Sequence, residues 1–393
     1  MRIATALTLP GLMLSSPYSD QVKHLLENSK YNFYERMVIS FCPCLGEDVQ
    51  ATLPLCLPVT TKDAGKKEVF AFSPADNKKW RHYDWDQVTT IAWKEDKELL
   101  CHAHKKGVKI VVHSDFEHFD DICIEGARRK WIMKAYKKIV TNYADGLNFD
   151  IEKPSFGKQS HCYALLLQEL RAVLQTKEFT KHAQISVDVP WSPHGIDDRY
   201  YEWNALADAA DFLFVMSYDM RSQIYYQCIA GANSPLALVK KGLEEYLVGY
   251  NIAPEKLVLG LPWYAYNYTC QKYSSALDIC QLKHIGFVGA PCSDAAGRQV
   301  DYGDIKARAA ANPALYTSHW DGLSDTPYYT YSALENPDEK GQIWFEDARS
   351  LSRKYALVRE LGLRGGGMWH ADTLAYGKDA ESENIWNSFK AMN

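Results

Sequence analysis

Asp145-Gly146-Leu147-Asn148-Phe149-Asp150-Ile151-Glu152, running into Lys153-Pro154, is the stretch around which the chain is organised. Read as a β-strand of period two, it puts Leu147, Phe149 and Ile151 on one face and Asn148, Asp150 and Glu152 on the other. That second row gathers two acids where the strand gives way to loop. Side chains two apart on a strand lie about 7 Å apart; ionised carboxylates at that spacing repel, so one of the two keeps its proton to higher pH. A raised carboxyl is what a general acid needs. A solvated edge strand could carry the same polar row, but Leu147, Phe149 and Ile151 are bulky enough to pack on helices. Alternating acids also suit Mg²⁺ or Ca²⁺. Asn148 is a poorer ligand than a carboxylate and no second acidic cluster is evident, so neither a metal nor another cofactor is expected. Asp145 falls on the opposite face at the far end of the strand, and with Gly146 it reads as structural.

Seven further segments of strand character flank this one: 68–72, 88–93 and 108–113 before it, 183–189, 212–218, 256–264 and 365–370 after it. Helical stretches at 97–106, 125–143, 163–174, 235–250, 343–361 and 383–392 alternate with them; Ser234 is the expected N-cap of the fourth, with Pro235 at its first position. His102 and His104 lie two apart on the first helix and do not face each other, which argues against a metal site there. Between the seventh strand and about Gly341 the pattern dissolves into a long stretch rich in Cys, Tyr, Gly and Pro, read as a folded insertion. Eight strand-helix units predict an α/β fold, a closed (β/α)₈ TIM barrel with a Cys-containing insertion after strand 7. No glycine-rich dinucleotide or phosphate loop supports an open sheet. In such a barrel the C-terminal strand ends carry the chemistry, and there Glu152, Tyr218, Tyr264 and Trp369 would converge.

With 393 residues, 47% of them hydrophobic, the chain can build one large core. A net charge of −5, with Lys and Arg scattered in short pairs such as Lys105-Lys106, gives no reason to expect nucleic acid as a partner. Ten cysteines, none in a CxxC pair, point to a secretory route with disulfides. Cys270, Cys280 and Cys292 should staple the insertion, and Cys42 and Cys44 should each find distant partners. Asn267-Tyr268-Thr269 is a glycosylation sequon. Arg2, the apolar run 3–14 and Ser15-Ser16-Pro17 have the layout of a short signal peptide, interrupted by Pro10 and Gly11. Residues 18–34 fit no secretory pattern and are expected either to stay disordered or to be no true part of the chain. Residues 1–41 are thus assigned to signal peptide and extension, and 42–393 to a single catalytic domain. No run reaches the roughly 18 apolar residues of a membrane helix, so no membrane partner is expected, and the protein is read as a monomer.

The eight-residue stretch resembles the signature of the family 18 glycoside hydrolases, the chitinase family, Asp-Gly-x-Asp-x-Asp-x-Glu, and departs from it only at Asn148. The stretches 212–219 (FLFVMSYD), 256–264 (KLVLGLPWY), 292–300 (CSDAAGRQV) and 365–369 (GGGMW) are similar to a lysosomal, chitobiose-cleaving branch of that family, from about Cys42 to the C-terminus. The resemblance implies hydrolysis of GlcNAc-β1,4-GlcNAc from the reducing end of N-acetylglucosamine oligosaccharides during glycoprotein degradation, with retention and with the substrate's own N-acetyl group as nucleophile. It implies Glu152 as acid and base, Asp150 as its partner and the orienter of the acetamido group, Tyr218 as donor to the acetamido oxygen and Trp369 as floor of the sugar pocket. Asp219 and Met216 would line the same sugar site; Tyr264 and Trp263 are the remaining candidates for it. Asn148 should keep hydrogen bonds to Asp150 while removing one charge, so the Asp150–Glu152 pair should be less elevated; the resemblance makes the amide a mark of the branch. Two other readings stay open. One is an endo-acting chitinase or endo-β-N-acetylglucosaminidase; the other is a non-catalytic chitin-oligosaccharide lectin, disfavoured by the intact Glu152.

Overall fold

The computed structural model describes residues 17–27, 29–60, 65–377 and 380–393. The strands of the predicted barrel are β1 (Glu68–Phe72), β2 (Thr90–Ala92), β3 (Lys109–Ser114), β4 (Gly146–Phe149), β5 (Gln184–Pro190), β6 (Phe212–Met216), β7 (Leu257–Pro262) and, after an insertion carrying β8 to β14, β15 (Gly365–Trp369). All pair in parallel, and β15 against β1 closes the ring in the order β1-β15-β7-β6-β5-β4-β3-β2. Alternation along these strands makes two cores. Phe70, Phe72, Phe212, Phe214, Val111 and Val258 fill the barrel interior, whereas Leu147, Phe149 and Ile151 face the helical layer, Phe149 packing 5.4 Å from Trp131. Gly146 starts β4 because a Cβ there would sit 2.0 Å from the carbonyl oxygen of Gln184 on the neighbouring strand.

The insertion folds as a five-stranded antiparallel sheet, β11-β8-β14-β13-β12, from Tyr264–Thr269 (β8), Gly297–Asp301 (β11), Tyr316–Asp321 (β12), Thr326–Ser332 (β13) and Lys340–Trp344 (β14), with a hairpin of Lys272–Ser274 (β9) and Ile279–Gln281 (β10) beside it. Two expected boundaries move as a result. The seventh barrel strand ends at Pro262, and Tyr264 opens β8. The helix expected over 343–361 begins only at Ala348, capped by Asp347, because Ile343 and Trp344 pair with Asn267 and Tyr266. Ser234 is not an N-cap either: its hydroxyl donates to the carbonyl of Ser217 at 2.5 Å, and the helix starts at Leu236.

The N-terminal segment expected to stay outside the fold packs on it. Helices Pro17–Leu26 and Phe33–Ile39 bury Val22, Leu26 and Ile39. Asn32 and Glu35 form a capping box, and the buried Glu35 accepts from the hydroxyl of Tyr136 at 3.1 Å and the amide of Phe179 at 3.3 Å. Of the signal-peptide stretch, residues 1–16 lie outside the described residues. All ten cysteines are paired, as Cys42–Cys56, Cys44–Cys101, Cys123–Cys162, Cys228–Cys292 and Cys270–Cys280. Cys44 bridges 57 residues, but Cys42 finds its partner only 14 residues on, against expectation.

Candidate active site

The polar row of β4 enters the barrel mouth. Asn148 is fully buried and pairs in register with Ser186 of β5; its amide donates to the Ser186 hydroxyl at 3.1 Å and to Asp188 Oδ1 at 2.9 Å, while its oxygen accepts the indole N–H of Trp93 at 2.6 Å. The expected bond from Asn148 to Asp150 is therefore replaced by one to Asp188, an acid that shares the β5 face with Ser186. Burial, then the charge of Asp150, pushes the Asp188 carboxyl well above the usual range. Asp150 itself is raised to about 7 by burial and by Glu152, with Arg199 pulling the other way. Asp188, itself buried, thus stands on the far side of Asn148 from the Asp150–Glu152 pair. Asp150 Oδ1 is shielded from solvent and has no hydrogen-bond partner, so it is an acceptor with unused capacity in the cleft. Glu152 lies past the strand end, its side chain 51% exposed, with Oε2 2.8 Å from Arg199 Nη1.

Across the mouth, β6 delivers Met216 and, just beyond it, Tyr218 and Asp219, the first two 8% exposed. Burial drives the Tyr218 hydroxyl far above its ordinary range, so it stays a neutral donor. Asp219 is raised to about 7 by burial, opposed by the Tyr264 hydroxyl that donates to its Oδ1. Tyr218 and Tyr264 meet edge to face at 6.1 Å. Trp369 closes the barrel end, 4.9 Å from Trp93 and 5.2 Å from Phe72, both edge to face. Beside it a cavity of about 310 Å³ is lined by Tyr264, Arg298, Asp301, Trp369 and His370, among others.

Two expected site residues are elsewhere. Trp263 is 2% exposed and turns outward to Trp386 at 5.0 Å and Phe389 at 5.9 Å, because the residue after Pro262 points to the helical layer. Asn267 sits on β8 between β11 and β14, buried and accepting from the Tyr331 hydroxyl at 2.8 Å, which contradicts the exposed loop that glycosylation needs. Conversely, Trp93, Asp188 and Arg199 were missed. The strand-end rule that selected Tyr218 and Trp369 would also have found Trp93 and Asp188. Arg199 comes from a loop 47 residues beyond Glu152 and carries no local signal. Among the described residues, the groups of His, Cys, Asp and Glu close enough to hold an ion are Cys42–Cys44–Cys56 and Cys228–His284–Cys292; their sulfurs are in disulfides and neither group includes the carboxyl row. No described helix is long and apolar enough to cross a membrane.

Residues 58–373 match the family profile described as glycosyl hydrolases family 18. The chain is 38% identical to the di-N-acetylchitobiase of Rattus norvegicus over 367 residues, 91% of this chain and 94% of the rat protein. It is 38% identical to the di-N-acetylchitobiase of Homo sapiens, covering 89% of this chain and 88% of the human protein. The crystal structure of a class V chitinase from Nicotiana tobaccum shares the fold at a TM-score of 0.65 and 15% identity, over 83% of this chain and 99% of the chitinase. A profile over most of the chain, together with relatives aligned nearly end to end, makes the protein a member of glycosyl hydrolase family 18 and a glycosidase.

Proposed function

We propose that the protein cleaves the GlcNAc-β1,4-GlcNAc bond of N-acetylglucosamine oligosaccharides, removing one GlcNAc from the reducing end of the chitobiose core during glycoprotein breakdown. The observation that carries the reading is the row of Asp150 and Glu152 at the barrel mouth, with Asp150 held at about 7 and one oxygen unpartnered, in a chain 38% identical to proteins named di-N-acetylchitobiase.

Most retaining glycosidases place a second carboxylate across the bond as nucleophile. Asp150 lies beside Glu152 just past the end of β4, on the same side of the cleft and so on the wrong side for attack. Substrate-assisted chemistry answers this: the N-acetyl carbonyl oxygen attacks the anomeric carbon as its bond to the leaving oxygen breaks, and the Glu152 proton goes to that oxygen. Water then adds to the anomeric carbon from the face the leaving sugar vacated as the bond to the acetamido oxygen breaks, its proton going to Glu152. Asp150, protonated below about 7, can donate to Glu152; turned toward the sugar, its carboxylate accepts the acetamido N–H and steadies the positive charge. Tyr218, kept neutral by burial, donates to the acetamido oxygen. Asn148 anchors the row through Asp188 and Trp93. Trp369 forms the floor, with Met216, Asp219 and Tyr264 along the sugar.

A lysosomal location and a single catalytic domain belong to the same proposal, the domain including the packed helices before residue 42. Five disulfides suit an oxidising route, and carboxyls that hold protons up to about 7 suit acid conditions. The test is product analysis on di-N-acetylchitobiose and a reducing-end-labelled, longer chitobiose-core oligosaccharide at acid pH. Release of one labelled GlcNAc by the natural protein and not by Glu152→Gln is expected. Internal cleavage would replace the reading with an endo-acting one, and binding without turnover would leave a lectin.

A further inference from the structure

Among the described residues Arg199 is the one cation bonded to the carboxyl row, and its surroundings are built for it. Its side chain is 6% exposed and spans two carboxylates, Nη1 to Glu152 Oε2 at 2.8 Å and Nη2 to Asp197 Oδ2 at 2.8 Å. Asp197 is itself held: its Oδ1 accepts from the Ser222 hydroxyl at 3.1 Å and its amide donates to Gln223 Oε1 at 3.1 Å, and Gln223 donates on to the carbonyl of Val288 in the insertion at 3.0 Å. Asp197 and Asp198 both adopt left-handed backbone, at φ 53° and 59°, to turn the chain into Arg199.

The guanidinium is not needed to hold the Glu152 loop. Tyr201 already donates to the carbonyls of Ile151 and Lys153 at 2.9 and 2.6 Å, and the backbone of Ser155 bonds Asp198 and Tyr200 at 3.0 and 2.8 Å. Burying a cation is costly unless its partners require it there. We propose that Arg199, locked by Asp197, is a positioning residue for Glu152: it holds one carboxyl oxygen from the protein side while the half-exposed carboxyl faces the leaving sugar, and its charge sets the alkaline limit of the reaction. This rests on the functional reading above.

The charged and titratable groups around the pair give the sign. Arg199 faces Glu152, Asp197 and Tyr201; Asp150 faces Glu152, Arg199 and Asp115; Asp188 lies behind Asn148, and Tyr218 lies across the mouth, its hydroxyl within the field of all three acids. A cation beside Asp150 favours its ionised form and so works against the rise that burial and Glu152 produce. Activity is lost when the Asp150 proton leaves, so removing Arg199 moves the alkaline limb of the pH–rate profile upward, and removing the Asp197 charge moves it downward.

The experiment is kcat and KM against pH for the natural protein, Arg199→Met, Arg199→Lys and Asp197→Asn on the labelled chitobiose-core oligosaccharide, with thermal unfolding of each. In Arg199→Met the alkaline limb should rise by about one pH unit, with kcat reduced about tenfold and KM within about twofold. Arg199→Lys, which keeps the charge, should return the limb toward the natural position. An unmoved limb in folded Arg199→Met, or a lysine variant that behaves as the methionine one does, overturns the proposal. If Arg199→Met does not fold, Asp197→Asn decides: a limb shifted to lower pH supports the role and an unmoved limb overturns it. A natural protein that does not cleave at any pH defeats the functional reading instead, a result distinct from each of these.

Discussion

The two ends of β4 carry the same residue type in opposite conditions. Asp145, at the lower end, is 3% exposed and fully engaged, accepting from the amides of Val59 at 2.6 Å and Ile110 at 2.7 Å and from His104 Nε2 at 3.0 Å. His104 in turn uses Nδ1 on the carbonyl of Leu55 at 2.8 Å. Burial works against the charge of His104, but Asp145 outweighs it and leaves its pKa raised. Five residues on, Asp150 has an oxygen with no partner and a carboxyl pushed up to about 7. Satisfied buried polar groups hold a fold together, whereas an unsatisfied one is tolerated where a ligand will complete it. Asp145 is thus committed to stability, while under the proposed function Asp150 is left free for chemistry.

The contrast is tested hardest at Asp150. Asp150→Asn should lower kcat/KM by about 10²–10⁴-fold while leaving the melting temperature near that of the natural protein; steady-state kinetics with circular dichroism reads both, and a fully active variant would break the comparison. Asp145→Ala should do the reverse. It strands two backbone N–H groups and a histidine, costing about 3–5 kcal/mol of unfolding free energy, with kcat of the folded fraction unchanged.

The third outcome concerns pH. Asp150 and Asp219, both near 7 when folded against an ordinary value of 3.8, bind protons more tightly in the native state. Stability therefore falls as pH rises from about 4 toward 7. The raised His104 adds to this: its contribution is complete below the unfolded value of 6.5 and is lost as pH rises through its higher folded value. Asp219→Asn should flatten the slope measured by denaturant unfolding at several pH values, by on the order of 4 kcal/mol across that window; an unchanged slope would remove Asp219 from the account. The smallest effect falls on the outward-facing tryptophan. Trp263→Phe should cost about 1–3 kcal/mol of stability and leave KM within about twofold, since Trp263 packs on Trp386 and Phe389 away from the cleft; a large rise in KM would return it to the sugar site.

The alternation of Leu147, Phe149 and Ile151 against Asn148, Asp150 and Glu152 was legible because a strand has a period of two and each face meets one environment. Strand count and barrel closure followed from eight repeats of the same local pattern. The insertion was legible only as a break in that pattern. Ile343 and Trp344 read equally well as the start of a helix until pairing with β8 decides them, and Trp263 and Tyr264 looked equivalent until the chain left the barrel between them. Asn267 matched a sequon whose meaning depends on exposure, which no tripeptide encodes.

What the sequence determined by itself was the order of the elements, the face each strand turns inward and the identity of the acids at the strand ends, all properties of residues close in the chain. What only the tertiary structure decided was who stands beside those acids: Asp188 behind Asn148, Arg199 on Glu152, Tyr264 on Asp219 and the orphaned oxygen of Asp150. Solvation and charge act through space over a few ångströms whatever the separation along the chain, so the proton affinities of the site belong to the fold and not to the motif.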